Sequence, residues 1–215
     1  LSSGGNLNTA RRNMGASAST TQTAGLVFGG TPGAPIVGLT EEYNGSSWSE
    51  SGDMATTRRD FGGAGIQTAA LAFGGNSPNQ PVAVNVESYN GSSWSEVSNM
   101  NSGRNNVGGA GLQTSALAIG GSGSSWTNAN TTSTNRAEGT GEAGTQTAGL
   151  VYGGAPNTAA TEAYDGTTWS NKSSMSTARS EIGFGGSQSA ALAVGGNPVT
   201  AATEEFNIPI LRNIT

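Results

Sequence analysis

The chain carries the stretch Gln67-Thr-Ala-Ala-Leu-Ala-Phe-Gly-Gly75, and four close copies of it recur along the 215 residues. The copies cover residues 22–30, 113–121, 146–154 and 188–196. Their second glycines are 45, 46, 33 and 42 residues apart. A fixed period of about 40–50 residues is typical of a β-propeller, in which each repeat forms one four-stranded blade. The repeat therefore predicts a ring of similar sheets.

The second repeat shows how one unit forms a blade. Four strands are predicted in it, over residues 58–66, 69–75, 82–89 and 92–97. Val82, Val84 and Val86 alternate with polar residues, as in a half-buried strand. Asn90-Gly91 is a strong hairpin signal, because a type I′ turn needs positive φ at both central residues. The unit is predicted to be an antiparallel sheet.

The third and fifth repeats depart from this pattern. In the third, Trp126 follows Gly121 almost at once, which predicts a shortened blade. The fifth ends in Ile208–Ile214 without a Trp. Two strands are candidates for completing the fifth blade: Leu1–Leu7, which aligns with Trp48–Met54, and Ile208–Ile214 itself. An assembly in which several chains complete one another, a homo-oligomer, is a third alternative.

Composition narrows the classes of function. Glycine accounts for 35 residues, and only 33% of residues are hydrophobic, so backbones must pack closely. The chain has no Cys and no His, which excludes disulfides and Cys/His zinc sites. A net charge of −5 argues against nucleic-acid binding. We predict no cofactor, no metal site, no signal peptide and no insertion into a membrane. Because the chain begins at Leu1, we interpret it as processed, trimmed or part of a longer polypeptide.

The repeats resemble the kelch repeat, in which a hydrophobic strand ends in Gly-Gly and is followed by spaced acidic, aromatic and basic residues. In the second unit these elements are Phe73-Gly-Gly75, Glu87-Ser-Tyr-Asn90, Trp94, Met100 and Arg104. The resemblance covers nearly the whole chain. It implies one all-β domain over residues 1–215, a kelch-type β-propeller of about five four-stranded blades. In kelch domains a strand from the other end of the chain usually completes the last blade.

The amino-acid sequences of the repeats also resemble those of kelch-like repeats in virion proteins of marine tailed phages. That resemblance implies a tail, fibre or surface protein, located in the virion or outside the cell. The expected partners are other virion proteins, or a glycan or protein on the host surface. It implies no set of ligand residues.

One arginine opens the first strand of every unit, and these five residues are the candidate binding site. They are Arg11, Arg58, Arg104, Arg136 and Arg179. Around a closed ring they could clamp a carboxylate, a sulfate or a sugar acid. Alternatively, each could pair with a repeated acidic residue and lock the blades together. The acidic candidates are Glu42, Glu87, Glu162 and Glu205. The repeated Trp and Tyr residues are expected to pack between blades.

The preferred interpretation is a non-enzymatic structural or adhesive module that presents variable loops. The loops are residues 31–39, 76–81, 122–134 and 155–160. The alternative is a cellular kelch-type protein-interaction module. A glycan-processing enzyme is less favoured: Asp60, Glu138 and Tyr164 could act in one, but no carboxylate pair stands out, so no catalytic residue is predicted.

Overall fold

A computed structural model describes residues 5–17, 21–120, 132–134, 136, 141–145 and 147–207. Seventeen strands and no helix lie within these residues, in five antiparallel sheets. The sheets are arranged as a β-propeller, as the repeat predicts. The all-β, propeller prediction is confirmed.

Each sheet is built from consecutive strands. Sheet 1 contains β1 (Gly15–Ala16), β2 (Gly25–Phe28), β3 (Thr40–Tyr43) and β4 (Trp48–Ser51). Sheet 2 contains β5 (Gly62–Ile66), β6 (Ala69–Phe73), β7 (Val86–Tyr89) and β8 (Trp94–Val97). Sheet 3 contains β9 (Gly108–Leu112) and β10 (Ser115–Ile119). Sheet 4 contains β11 (Gly141–Thr145), β12 (Ala148–Tyr152), β13 (Thr161–Tyr164) and β14 (Trp169–Lys172). Sheet 5 contains β15 (Gly183–Ser187), β16 (Ala190–Val194) and β17 (Thr203–Asn207).

The four strands of the second unit are present as β5 to β8, but they start later than predicted. β5 begins at Gly62 rather than at residue 58, because Asp60 takes a left-handed conformation (φ 57°) that interrupts the strand. β7 begins at Val86 rather than at residue 82. The residues before it turn back toward β6, where the Ala83 N–H donates to the Gly75 carbonyl at 2.8 Å.

Two of the predicted irregularities involve residues outside the described part of the chain. Within the described residues sheet 3 has two strands. The third unit is predicted to be shortened at residues 121–131, and these lie outside the described residues. Sheet 5 has three strands there. Of the two candidates for its fourth strand, Ile208–Ile214 lies outside the described residues, and so do residues 1–4 of Leu1–Leu7.

Small residues let the inner strands of neighbouring sheets approach closely. A Cβ added to Gly63 would overlap the carbonyl oxygen of Ala16 in sheet 1. The equivalent Gly109 lies in the same way against the carbonyl oxygen of Gly63 in sheet 2. Only glycine leaves room for this contact between backbones. The abundance of glycine therefore follows from packing around the hub.

Larger side chains fill the space between sheets farther from the hub. Between sheets 1 and 2, Leu26 and Phe28 are buried against Ala70 and Ala72. The same arrangement places Leu150 and Tyr152 of sheet 4 against Ala191 and Ala193 of sheet 5. One sheet thus supplies large residues and the next supplies alanines, and the junctions repeat.

A glutamine from the first hairpin of one sheet clamps the sheet before it. The Gln113 amide group donates to the Ala70 carbonyl at 3.2 Å, to Ser88 Oγ at 2.9 Å and to the Tyr89 carbonyl. Gln67 and Gln188 make equivalent bonds, to Gly25 and Tyr43 and to Gly149 and Tyr164 respectively. Each side chain ties the second and third strands of the preceding sheet to the next sheet. Sequence reasoning treated this glutamine only as a turn residue.

Replacing Gln113 by alanine is expected to lower the free energy of unfolding by about 1–3 kcal/mol. The change leaves the Ala70 and Tyr89 carbonyls without this donor in a partly buried position. Chemical denaturation with fluorescence detection measures the effect. The matched control is Gln22→Ala in the first copy of the repeat, where the residue is exposed and little change is expected. Equal losses in both variants would contradict the clamp.

Candidate functional site

One face of the propeller carries the loops that join the second strand of each sheet to the third. In an antiparallel sheet these loops lie at the end opposite to the two hairpins. They include residues 31–39, 76–81 and 155–160, three of the loops that the sequence predicts as variable. The fourth, residues 122–134, lies mostly outside the described residues. We call the surface formed by these three loops the loop face.

Hydrogen bonds within two of these loops hold their backbones in defined conformations. In the first, the Thr31 hydroxyl donates to the Gly33 carbonyl at 2.5 Å. In the second, the Ser77 and Gln80 backbones form an isolated antiparallel bridge. Residues 32–35 and 78–82 are exposed at the tips. The loop face therefore presents different side chains on anchored backbones.

The five candidate arginines lie beneath the loop face, four or five residues before the first strands of their sheets. In four of the units the guanidinium group pairs with a glutamate of the third strand. The pairs are Arg11–Glu41 (2.5 Å), Arg58–Glu87, Arg136–Glu162 (2.8 Å) and Arg179–Glu204 (2.6 Å). These arginine side chains are at most 1% exposed. They are buried parts of the fold rather than groups that face solvent.

In the second to fifth units the guanidinium group also donates to the carbonyl of the first glycine after the second strand. Arg58 Nη1 donates to the Gly74 carbonyl at 3.2 Å and to the Asn85 carbonyl at 2.7 Å. Arg136 and Arg179 donate to Gly153 and Gly195 at 2.7 Å. The arginine therefore holds both ends of the loop that leads to the third strand.

The glutamate also accepts hydrogen bonds from backbone N–H groups of the residues that precede the arginine. Glu87 accepts the backbone N–H groups of Ala55 (2.8 Å) and Thr56 (3.1 Å). Glu162 accepts those of Ser133 (2.6 Å) and Thr134 (3.1 Å). One ion pair thus joins the incoming segment, the first strand and the third strand.

In two units the partner is not the glutamate that the sequence predicted. Arg11 pairs with Glu41 rather than Glu42, and Arg179 pairs with Glu204 rather than Glu205. Neighbouring residues of a strand point to opposite faces, so only one of two adjacent glutamates can face the arginine. The pairing β2–β3 puts Glu41 opposite Val27, as Glu87 is opposite Ala72.

Burial and hydrogen bonding shift the ionisation of these groups. Burial lowers the pKa of Arg58, and the charge of Glu87 opposes that change. Burial alone would raise the pKa of Glu162, but hydrogen bonds from Arg136, Ser133 and Thr134 lower it overall. Arg104 donates to the Gly120 carbonyl at 2.6 Å, and burial lowers its pKa to about 10.

This geometry favours the interpretation that the arginines lock the sheets. A ligand clamp would have to displace glutamate and carbonyl partners from buried guanidinium groups, and the clamp stays a prediction. Two arginines that sequence reasoning passed over are better placed to meet a ligand. Arg12 is exposed, and the side chain of Arg59 is 39% exposed. Each directly follows an arginine that pairs with a glutamate. The Arg-Arg doublet is the feature of the sequence that could have identified them.

Trp94 and Trp169 pack between sheets, as expected, and Trp126 lies outside the described residues. Trp94 of sheet 2 lies against Phe28 of sheet 1, with 4.8 Å between ring centroids, and against Tyr89 at 5.0 Å. Its indole N–H donates to Thr40 Oγ1 of sheet 1 at 2.9 Å. Trp169 makes the equivalent 5.0 Å contact with Tyr164. The tryptophans join the outer strand of one sheet to the sheet before it.

Tyr89 is expected to ionise well above the ordinary range for tyrosine. Burial and the bond from its hydroxyl to Glu42 Oε1 (2.5 Å) raise its pKa to about 12. Because the folded pKa exceeds the unfolded value of about 10, its stabilising effect is complete below pH 10. That effect is lost as the pH rises toward 12. Ultraviolet titration of the protein and of the Tyr89→Phe variant measures this: the variant should lack the late transition, and identical titration curves for the two proteins at high pH would contradict the prediction.

Two of the three candidate enzyme residues, Asp60 and Tyr164, lie on opposite faces of the propeller. Asp60 contacts Asn13 and Arg59, whereas the Tyr164 hydroxyl donates to the Gly166 carbonyl at 3.0 Å in a hairpin on the opposite face. Glu138 lies outside the described residues. Among the residues that are described, no group of three or more acidic side chains is arranged to hold a metal ion.

Two further findings bear on location and family. The described part of the chain contains no helix with the length and hydrophobicity needed to cross a membrane. Comparison of the sequence with models of known protein families and with curated proteins gives no match.

Proposed function

We propose that this chain is a non-enzymatic β-propeller module of kelch type that serves as a structural or adhesive part of a phage particle. Its partners are other virion proteins or a glycan or protein on the host surface. One observation supports this proposal above the others. The charged residues common to the repeats are buried in ion pairs, while the residues that differ between repeats are exposed on the loop face.

A fold with buried ion pairs and exposed variable loops suits a scaffold that presents binding residues to a partner. The Arg–Glu pairs hold each sheet to the segment that enters it, and the glutamine clamps and the inter-sheet tryptophans hold neighbouring sheets together. The loops on top can then change in sequence without loss of the fold. Several copies on one particle would turn weak contacts into strong attachment, because linked sites raise the effective concentration.

The experiment is a binding assay with two matched exchanges of segments. In the test variant, residues 32–35 of the loop 31–39 and residues 155–157 of the loop 155–160 are replaced by Gly-Ser stretches of equal length. In the control, the hairpin turns at 44–47 and 165–168, on the opposite face, exchange sequences. Retention of each protein on host cells and on purified envelope glycans is measured.

We expect the loop variant to lose most of its retention and the hairpin control to keep it. Equal retention of both variants would overturn the adhesive part of the proposal. Purified particles probed with an antibody against the propeller test the virion location, and absence of the protein from those particles would overturn it. Recovery of a cellular partner through the same loops would favour the cellular kelch-type module instead.

A further inference from the structure

The hairpins that join the third strand of a sheet to the fourth share one arrangement. They span residues 44–47, 90–93 and 165–168, and in each the backbone N–H of the first residue donates to the carbonyl of the fourth at 3.1–3.2 Å. Two of them begin with Asn-Gly and the third begins with Asp-Gly. A side-chain amide therefore opens two of these turns, and a carboxylate opens the third.

Three donors hold the side-chain oxygen of each asparagine. Asn90 Oδ1 accepts the Ser92 N–H, the Ser92 hydroxyl and the Ser93 N–H, each at 3.0 Å. Asn44 Oδ1 accepts the same three bonds in the first hairpin, at 2.9–3.0 Å. Donors that converge on a carbonyl oxygen stabilise the negative charge that develops there when a nucleophile attacks the carbon. The turn thus favours attack on Cγ of these two side chains.

The backbone nitrogen of the following glycine is placed to attack that carbon. The bond from the Ser92 N–H to Asn90 Oδ1 closes a ring of atoms that contains both Asn90 Cγ and Gly91 N. Glycine has no Cβ to shield this nitrogen. Among the described residues, neither the Gly45 N–H nor the Gly91 N–H donates a hydrogen bond to the protein. Asn44 and Asn90 are exposed, so water reaches both turns.

We infer that the first two hairpins are self-modification sites, at which Asn44 and Asn90 are converted to aspartate without an enzyme. The glycine nitrogen loses its proton to water and attacks Cγ, which forms a C–N bond and leaves a negative charge on Oδ1. The Cγ–Nδ2 bond then breaks, and Nδ2 takes up a proton and departs as ammonia, so that a succinimide ring remains. Water adds to Cγ of that ring, and the new C–N bond breaks to restore the glycine N–H. Each conversion consumes one water and releases one ammonium ion for the carboxylate formed.

The fourth unit shows that the product fits the same turn. Asp165 Oδ1 accepts the Thr167 N–H at 2.8 Å, the Thr167 hydroxyl at 2.7 Å and the Thr168 N–H at 2.7 Å. Its Oδ2 accepts the Thr168 hydroxyl at 3.1 Å. These bonds, led by that from the Thr168 N–H, hold the pKa of Asp165 well below its usual range. A carboxylate at residue 44 or 90 meets equivalent donors, so the conversion preserves the turn.

The conversion changes the charge of one face of the propeller. It adds one negative charge at each site to a chain whose net charge is −5. Both sites lie on the face opposite to the loop face, so the inference does not depend on the proposed function. The protein therefore becomes more acidic on that face as it ages, while its loop face stays the same.

The test incubates the purified full chain at mildly alkaline pH and maps its peptides by mass spectrometry over several weeks. Electron-based fragmentation separates aspartate from isoaspartate, the product that forms when water adds to the backbone carbonyl of the ring instead. We expect aspartate to accumulate at both sites at least as fast as in the same chain unfolded in urea, and thermal unfolding to show that the product stays folded. Slower conversion in the folded chain, isoaspartate alone, or loss of the fold on conversion would overturn the inference.

Two variants test the role of the turn. Ser92→Ala removes one donor to Asn90 Oδ1 and should slow conversion there by about twofold to fivefold. Asn44 in the same molecule is the matched control and should convert at an unchanged rate. Asp165→Asn should create a third site that converts in the folded chain. Equal rates at Asn90 with and without the Ser92 hydroxyl, or a stable amide at residue 165, would show that the hairpin does not promote the reaction.

Discussion

Replacing Arg58 by methionine is expected to lower the free energy of unfolding by about 3–5 kcal/mol. Methionine matches much of the volume of the arginine but removes its charge, so the buried carboxylate of Glu87 loses its partner. The carbonyls of Gly74 and Asn85 lose their donor as well. Removal of one partner from a buried ion pair is costly because the other charge stays desolvated. Equilibrium denaturation measures the loss.

The neighbouring residue provides the control for this substitution. Arg59 pairs with Asp60 at 3.5 Å with 39% of its side chain exposed, so Arg59→Met is expected to change stability by less than about 1 kcal/mol. Adding Glu87→Gln to Arg58→Met should recover part of the loss. The amide oxygen can still accept from Ala55 and Thr56, and no buried charge remains. Similar losses for Arg58→Met and Arg59→Met would contradict the lock.

Replacing Gly109 by alanine is expected to cost about 2–3 kcal/mol. The new methyl group would overlap the Gly63 carbonyl oxygen and crowd the Phe73 ring, at 2.7 Å. The backbone of sheet 2 would have to move away from sheet 3, and the close approach at the hub would be lost. Thermal and chemical denaturation both report this loss.

Gly185 is the matched control, in the first strand of sheet 5. A methyl group there meets no atom within 4 Å, and the residue does not need a positive φ. Gly185→Ala is therefore expected to be neutral or slightly stabilising, because alanine reduces the freedom of the unfolded chain. If both glycine variants lost the same stability, the strand propensity of glycine rather than packing at the hub would explain the effect.

Much of the fold was predictable because its signals are local. The Asn90-Gly91 hairpin signal and the period of the repeat predicted the strand order of sheet 2. The predicted type I′ turn was wrong, because the turn spans residues 90–93 and φ is positive at Gly91 but not at Asn90. The alternation of Val82, Val84 and Val86 also misled, since Val82 and Val84 lie before β7. Strand ends were less predictable. The positive φ of Asp60 was not predictable from the neighbouring residues. Because this conformation interrupts the strand, β5 starts four residues later than expected.

The candidate site was predictable only in part. The arginines were identified from their recurrence, but recurrence does not distinguish a surface clamp from a buried lock. That distinction depends on Arg58 meeting Glu87, 29 residues away. The clamp of Gln113 on Ala70 spans 43 residues and left one signal in the sequence, the recurrence of the glutamine in all five copies.

The sequence by itself determined the repeating unit, its turns and the need for small residues at the hub, because turn chemistry and side-chain alternation act between near neighbours in the chain. Only the tertiary structure decided which glutamate faces each arginine and which surface is left for partners. Contacts of this kind depend on strand register and on the packing of one sheet against the next, and no short window of sequence contains them.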